Sequence, residues 1–412
     1  KEHEDILEQA DETDAMFGEL YSWYLRNPEY RSRIQKLVQS AFAGKPKDII
    51  SQSVAKALYG EVSPYSATRL ERFAACAFAH FLQYGMKLTE RVEYEFKPMD
   101  MGNVMHEALE SFAEEVRKRG MKWTELTEQE RNEIADRCLD NIVADYGNTV
   151  LKSSARNEYM IERTRRILRR TVWALQKQLE QGEFQPEGFE VTFGGGRIDR
   201  VDIMEDQNKV YVKVIDYKTG NTSFDLVYLY HGLQLQLMIY LDGALRVEQK
   251  KYPDKEIIPA GVFYYNIKDP MIQEKIDADV EAVSAGLMKE LKMNGLVQAD
   301  PELVYRMDSS LGSIPVAFNK DGSFRKNSSV ADRTQFAVLG RYVRTKIEKI
   351  RSSILEGDAE VSPYELGKKN ACTYCPYMTV CGFDRRLSGY EFRRLKNFSD
   401  EELWKAFDRE AE

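Results

Sequence analysis

Two apolar, β-prone runs dominate the hydrophobic and polar pattern: Gly196 to Met204 and Lys209 to Lys218, each carrying a carboxylate. Between them lies Glu205-Asp206-Gln207-Asn208, a polar break that turns a hairpin. Strands are predicted over 189–193, 196–204 and 209–217, and Gly194-Gly195-Gly196 lets the backbone bend sharply before Asp199. Alternate residues of a strand share a face, so Asp216 and Lys218 project together with Tyr217 opposite. Folding the hairpin returns Asp199 to the side of Asp216.

Helical patterning surrounds this hairpin. Residues 63–185 read as almost wholly helical, broken near Gly120 and Gly147, with a punctuated turn from Gly182 to Gly188. A helix is predicted over 225–247, an apolar strand from Ile257 to Tyr265, helices within 271–295, and a long helix over 330–356 ending at Gly357. Ile314 to Phe324 reads as a surface hairpin turning on Asn319-Lys320-Asp321-Gly322. Residues 1–62 form an acidic, then helical segment with Trp23, Tyr24 and Leu25 as packing residues, and an acidic helical tail closes the chain. The abrupt helical start without Met reads as a piece of something longer. Within residues 63–412, the helical part covers 63–185, the core 186–300, and the C-terminal helices and cysteine segment 301–412.

Composition narrows the function classes. The chain has 412 residues, of which 43% are hydrophobic, enough for one large or two smaller cores. It has no apolar run that spans a bilayer and nothing resembling a secretory signal, so a reducing, cytoplasmic setting is expected. No Gly-x-x-x-x-Gly-Lys-Ser/Thr loop occurs, so there is no sign of its own ATP site. The net charge of −8 suits a nucleic-acid partner poorly unless charge is segregated. Two basic runs offer that: Arg163, Arg165, Arg166, Arg169 and Arg170; then Arg385, Arg386, Arg393, Arg394 and Lys396. Each reads either as a solvated face paired with acids or as a track for backbone phosphates.

The hairpin supplies candidate chemistry. Two carboxylates held together repel unless a cation sits between them, and oxygen ligands suit Mg²⁺ or Mn²⁺. A lysine beside such a metal can orient or deprotonate a water, the equipment of metal-assisted phosphodiester hydrolysis. Asp202 follows the same strand and is the alternative carboxylate to Asp199. His106, in Val104-Met-His-Glu-Ala-Leu109, is either a packed helical histidine or a ligand through neutral imidazole. Glu107 reads as a solvated neighbour. Gln236 and Tyr240 are four apart on a predicted helix and share a face.

Asp199 followed by Asp216-x-Lys218 resembles the core motif of PD-(D/E)xK nucleases. Gly196-Arg-Ile-Asp-Arg-Val-Asp202, Asp216-Tyr-Lys-Thr-Gly220, Gln234-Leu-Gln-Leu-Met-Ile-Tyr240 and the upstream Gly102-Asn-Val-Met-His106 resemble its RecB-type branch. The resemblance implies an α/β, restriction-endonuclease-like core, a central mixed sheet flanked by helices, enlarged by a helical insertion. It implies that Asp199, Asp216 and the Tyr217 carbonyl hold the metal with His106, that Lys218 activates water, and that Gln236 and Tyr240 line the active-site groove.

The chain has five cysteines: Cys76, Cys138, Cys372, Cys375 and Cys381. The last three fall in one short segment, which suggests metal or cluster ligation more than disulfides. Cys138 reads as a buried helical thiol. One early cysteine paired with three late ones resembles the iron–sulfur staple of AddB-type helicase–nuclease subunits. Ser63-Pro-Tyr-Ser-Ala-Thr-Arg-Leu-Glu-Arg-Phe73 and Cys372-Thr-Tyr-Cys-Pro-Tyr377 share that resemblance. It implies a [4Fe–4S] cluster on Cys76, Cys372, Cys375 and Cys381, with zinc as the competing occupant. It further implies single-stranded DNA ends as substrate, an AddA-type helicase–nuclease partner, and a role in bacterial double-strand-break repair. A free-standing Cas4-like exonuclease and a non-catalytic DNA-holding scaffold are the alternatives.

Overall fold

A computed structural model describes residues 2–41, 49–60, 66–89, 98–145, 154–194, 196–272, 279–387 and 389–411. The expected break at Gly147, the start of the Ser63 phrase and Gly195 lie outside the described residues. Helices α1 (Glu2–Arg26), α2 (Pro28–Ala41), α3 (Gln52–Tyr59), α4 (Ala67–Ala75) and α5 (Ala77–His80) come first, then α6 (Pro98–Lys118), α7 (Glu128–Asp145) and α8 (Ala155–Glu180). Strands β1 (Gln185–Phe193), β2 (Gly196–Asp206) and β3 (Lys209–Lys218) follow, with the hairpin turning on Gln207 and Asn208. Next are α9 (Leu226–Tyr230), α10 (Gln236–Lys251), β4 (Glu256–Asn266), α11 (Val280–Glu290), β5 (Asn294–Gln298) and α12 (Pro301–Met307). The chain ends with β6 (Val330–Ala331), α13 (Arg333–Glu356), β7 (Tyr364–Leu366), β8 (Lys369–Asn370), α14 (Met378–Cys381), β9 (Arg393–Arg394) and α15 (Asp400–Ala411).

The central sheet runs β1-β2-β3-β4-β5-β6. β2 is antiparallel to both β1 and β3, β4 is parallel to β3, and β5 is antiparallel to β4. The mixed sheet expected from the resemblance is therefore present. A parallel neighbour needs a crossover, and α9 with α10 supplies it. Alternation on β3 divides the core. Val210, Val212 and Val214 pack under α4, α10 and α13, while Tyr211, Ile215 and Tyr217 pack under α6, α7 and α8. Asp216 and Lys218 thus end the α10 face, as the period of two predicts.

Four elements depart from the sequence expectation. The helix predicted over 225–247 is two helices, because Gly232 adopts φ +78° and breaks the run after α9. The turn predicted to end at Gly188 is already strand from Gln185, since that segment pairs with β2. The hairpin near 314–324 is reduced to one bridge between Phe318 and Phe324. Trp23, expected to pack, is 56% exposed, with its ring beside those of Tyr24 and Tyr30 on α1 and α2. Those two helices lack the sheet that buries the later elements. No helix among the described residues is long and apolar enough to cross a membrane.

The back of the sheet holds a buried ion network. Asp202 accepts from Arg200 Nε at 2.6 Å and Nη2 at 2.9 Å, and Lys213 Nζ lies 3.0 Å from its second oxygen. The Arg200 guanidinium also lies over Trp123 and Phe189, whose rings stack. Burial works to raise the Asp202 pKa, but Arg200 and Lys213 outweigh it and hold the carboxyl below its ordinary value. Asp202 is therefore committed to register, not to a ligand site. Asp202→Ala would strand two buried cations, and we expect it to cost about 3–5 kcal/mol. Urea unfolding checks this, and a midpoint matching the parent would contradict it.

Candidate active site

The ends of β2 and β3, the middle of α6 and the start of α10 converge on an open cleft of about 910 Å³. His106 comes from α6, whose apolar face carries Val104, Met105, Ala108 and Leu109 into the core. The Tyr217 backbone N–H donates to Asp199 Oδ2 at 2.7 Å, locking the hairpin where its two carboxylates meet. His106 Nε2 lies 3.1 Å from the Tyr217 carbonyl oxygen, and its Nδ1 lies 3.4 Å from Asp199 Oδ2. The structure thus brings together His106, Asp199, Asp216 and Tyr217, the four expected ligands.

A second chain of contacts runs along the other side. Lys218 Nζ lies 2.6 Å from Asp216 Oδ2 and donates to Gln236 Oε1 at 2.8 Å. Gln236 Nε2 donates to the Tyr240 hydroxyl at 2.9 Å. Gln236 and Tyr240 share one face of α10, as their spacing predicts, and both line the cleft. Their contacts make them the support of Lys218. Glu107 also lines the cleft but is exposed.

Sequence reasoning missed Glu190. It stands on β1 between pairs Phe189–Arg200 and Val191–Ile198, and so opposite Asp199. Its Oε1 lies 3.7 Å from His106 Nδ1, its Oε2 lies 2.5 Å from Arg197 Nε, and its backbone holds φ +49°. Ligand atoms of His106, Glu190 and Asp199 all lie within 4.8 Å of one another. The signal in the sequence is weak: one glutamate in a strand whose start the residue pattern places too late. The pKa shifts agree with a cation-seeking cluster. Burial, then Asp199, push the Asp216 carboxyl up to about 7 against the pull of Lys218 and His106. Burial opposes charge on His106, but Asp199 and Glu190 outweigh it and raise the imidazole to about 10.

The cysteines form a separate cluster. Cys76 ends α4 in extended conformation. Asn370 Oδ1 accepts from the backbone N–H of Cys372 and Thr373, turning the loop that carries Cys372 and Cys375, and Cys381 ends α14. Cys76, Cys372, Cys375 and Cys381 line one cavity, and none is in a disulfide. Burial, then the three other cysteines, push the Cys372 thiol up to about 12. Cys138 is buried in the core under α6 and α8, as expected. The basic runs are largely paired with acids. Arg165 and Arg169 meet Asp136, Arg166 meets Asp269, Arg386 meets Asp384, and Lys396 meets Glu402.

Comparison with known proteins places this geometry in a family. A model of the PD-(D/E)XK nuclease superfamily matches residues 64–382. The chain is 41% identical over 425 residues to the B-type subunit of the ATP-dependent helicase/deoxyribonuclease of Lachnoclostridium phytofermentans, covering 97% of this chain and 36% of that protein. It is 34% identical over 425 residues to the protein of the same name from Thermoanaerobacter sp., covering 97% and 37%. The Clostridium acetobutylicum counterpart is 33% identical over 423 residues, covering 97% and 36%. The chain therefore spans little more than a third of the length of these relatives.

The two shifted groups set a pH dependence. Asp216 and His106 hold their protons more tightly folded than unfolded, where about 3.9 and about 6.5 apply. The folded chain then binds more protons through both windows. In chelator, their contribution to stability is present at low pH and is lost as pH rises towards about 7 and then about 10. A divalent cation needs the carboxylate and the neutral imidazole, so it should stabilise more at about pH 8 than at about pH 6. Thermal melting with and without Mn²⁺ at both pH values checks this, and equal shifts would contradict it.

Proposed function

The chain belongs to the PD-(D/E)XK nuclease superfamily, and from that premise we propose that it hydrolyses DNA phosphodiesters as the nuclease part of a helicase–nuclease subunit. The observation that carries the reading is the convergence of Asp199, Asp216, Tyr217 carbonyl, His106 and Lys218 in one open cleft. The donor set fits Mg²⁺ or Mn²⁺, being mostly hard oxygen with one imidazole. Asp199, Asp216, the Tyr217 carbonyl and His106 would hold the ion, with Glu190 beside them. When bound, such an ion lowers the pKa of water and offsets charge on the phosphoryl oxygens.

The chain's own groups do the rest. The Tyr217 N–H fixes one oxygen of Asp199 and leaves the other for a ligand. Lys218, tied between Asp216 and Gln236, presents its ammonium to the cleft, where it orients the attacking water and stabilises charge that develops at the phosphate. Tyr240 fixes the orientation of the Gln236 amide. Openness of the cleft suits a polymer strand passing through it.

The four cysteines support a metal–sulfur group as a second element of the reading. Their shared cavity and soft thiol donors fit a [4Fe–4S] cluster, which would tie α4 to the C-terminal segment. The relatives are named as subunits of a helicase/deoxyribonuclease, which supports a helicase-bearing partner that delivers DNA, with single-stranded ends as substrate. Cytoplasmic location in a bacterium follows from the same reading.

Two experiments test it. With end-labelled single-stranded DNA in Mg²⁺, the parent should cleave and Asp216→Ala should lose at least about 100-fold of the rate. A folded, Mg²⁺-replete parent that binds DNA without cutting would favour a DNA-holding scaffold. Anaerobic purification should yield iron and inorganic sulfide, both lost in Cys76→Ser. Zinc in their place would overturn the cluster.

A further inference from the structure

Glu71 lies on α4, five positions before the Cys76 that ends the helix. Its side chain reaches across the core to the start of α10. There Glu71 Oε1 accepts from the backbone N–H of Leu235 at 2.7 Å and of Gln236 at 2.9 Å. The first N–H groups of a helix have no partner within it, and the N-cap of α10, Leu235, has no side chain able to supply one. A carboxylate placed there satisfies two donors at once and complements the positive end of the helix. The cap therefore comes from a residue more than 160 positions away.

What hangs from that helix start gives the contact its consequence. Gln236 is the first residue of α10, and its Oε1 accepts from Lys218 Nζ. Its Nε2 holds the Tyr240 hydroxyl, one turn along. The path from Glu71 to the Lys218 ammonium thus passes through one residue, by its backbone N–H on one side and its side-chain amide on the other. At the far end, α4 is capped by Ser66, which lines the cleft with Thr68, and it finishes at the cysteine cavity.

We infer that Glu71 is a positioning residue for the nuclease centre: it pins the start of α10 so that Gln236 holds Lys218 in place, and it joins that centre to the helix ending at Cys76. The inference rests on the nuclease reading above. Glu71 itself acts only through Gln236. Removing it frees two amides and loosens the amide that orients the lysine, which lowers the rate of the chemical step without weakening DNA binding.

The test compares Glu71→Ala, Glu71→Gln and Glu71→Asp with Gln236→Ala and the Glu71→Ala/Gln236→Ala double variant. In the intact chain, Glu71→Ala should lower kcat on the order of 10- to 100-fold with KM for single-stranded DNA unchanged. Gln keeps an acceptor oxygen at the same reach and should recover most of the rate. Asp keeps the charge but is one methylene short, and should not. The double variant should be no slower than Gln236→Ala alone, because the two act in series. Parent-like kcat in Glu71→Ala, or independent losses in the double variant, overturns the inference. Should Glu71→Ala not fold, the Gln and Asp pair decides: an active Asp variant beside an inactive Gln variant overturns it. Hydrogen exchange separates this from the nuclease reading. Should the parent not cut DNA, faster exchange of the Leu235 and Gln236 amides in Glu71→Ala or Glu71→Asp still supports the pinning, and unchanged exchange in both refutes it.

Discussion

Two carboxylates forced together at the end of a buried hairpin are the constraint on which the rest of this structure depends. Asp199 and Asp216 lie almost out of water, on adjacent strands, where burial and then the Asp199 charge both oppose ionisation of Asp216. Each neighbouring group answers that problem. The Tyr217 N–H takes one oxygen of Asp199, Lys218 takes one of Asp216, and His106 stands against Asp199 with its charge favoured by Asp199 and Glu190. A site whose fold has already brought such acids together suits a small hard cation.

The opposite face of the same hairpin solves a different problem with similar residues. Asp202 is more deeply buried than Asp199, yet Arg200 and Lys213 satisfy it within hydrogen-bonding distance. Nothing remains there for a ligand. A slip of one residue between β2 and β3 would exchange the two environments, placing Arg200 where Asp199 now sits. The ion network therefore guards the register on which the cleft depends. Function on one face and pairing on the other are two readings of one alternation.

That alternation explains how much was legible in the sequence. Strand faces follow from a period of two, so the sides taken by Asp216, Lys218 and Tyr217 can be read from the residues alone. Gln236 and Tyr240 follow from helical spacing, although the helix that bears them starts later than its hydrophobic pattern suggests, because Gly232 interrupts it. The cysteines are legible as a set because their type is rare. Glu190 and Glu71 are not. A glutamate in a strand or a helix has no local pattern that separates it from a solvated one. Its role comes from a contact across the fold: for Glu190 with His106 on α6, and for Glu71 with the amides of α10. Trp23 fails in the opposite sense. A large aromatic predicts burial only where another element arrives to cover it.

The arrangement of supports also says why the candidate catalytic side chains sit on such different elements. Lys218 ends a strand and pairs there with Asn266 of β4, so its backbone is fixed by the sheet. Its ammonium, at the tip of a long flexible side chain, is fixed by Asp216 on that strand and by Gln236 on a helix. Strand and helix are separate bodies, and they agree on one position only if their relative placement is itself held. The packing of α10 on the sheet supplies part of that agreement, through the core that buries Leu237, Met238 and Leu241. Apolar packing is tolerant of small sliding, whereas two hydrogen bonds from the first amides of α10 to Glu71 set the helix end to within a few tenths of an ångström. Precision at the lysine thus requires a polar contact inside an otherwise apolar layer, and the burial cost of that carboxylate is what the position demands.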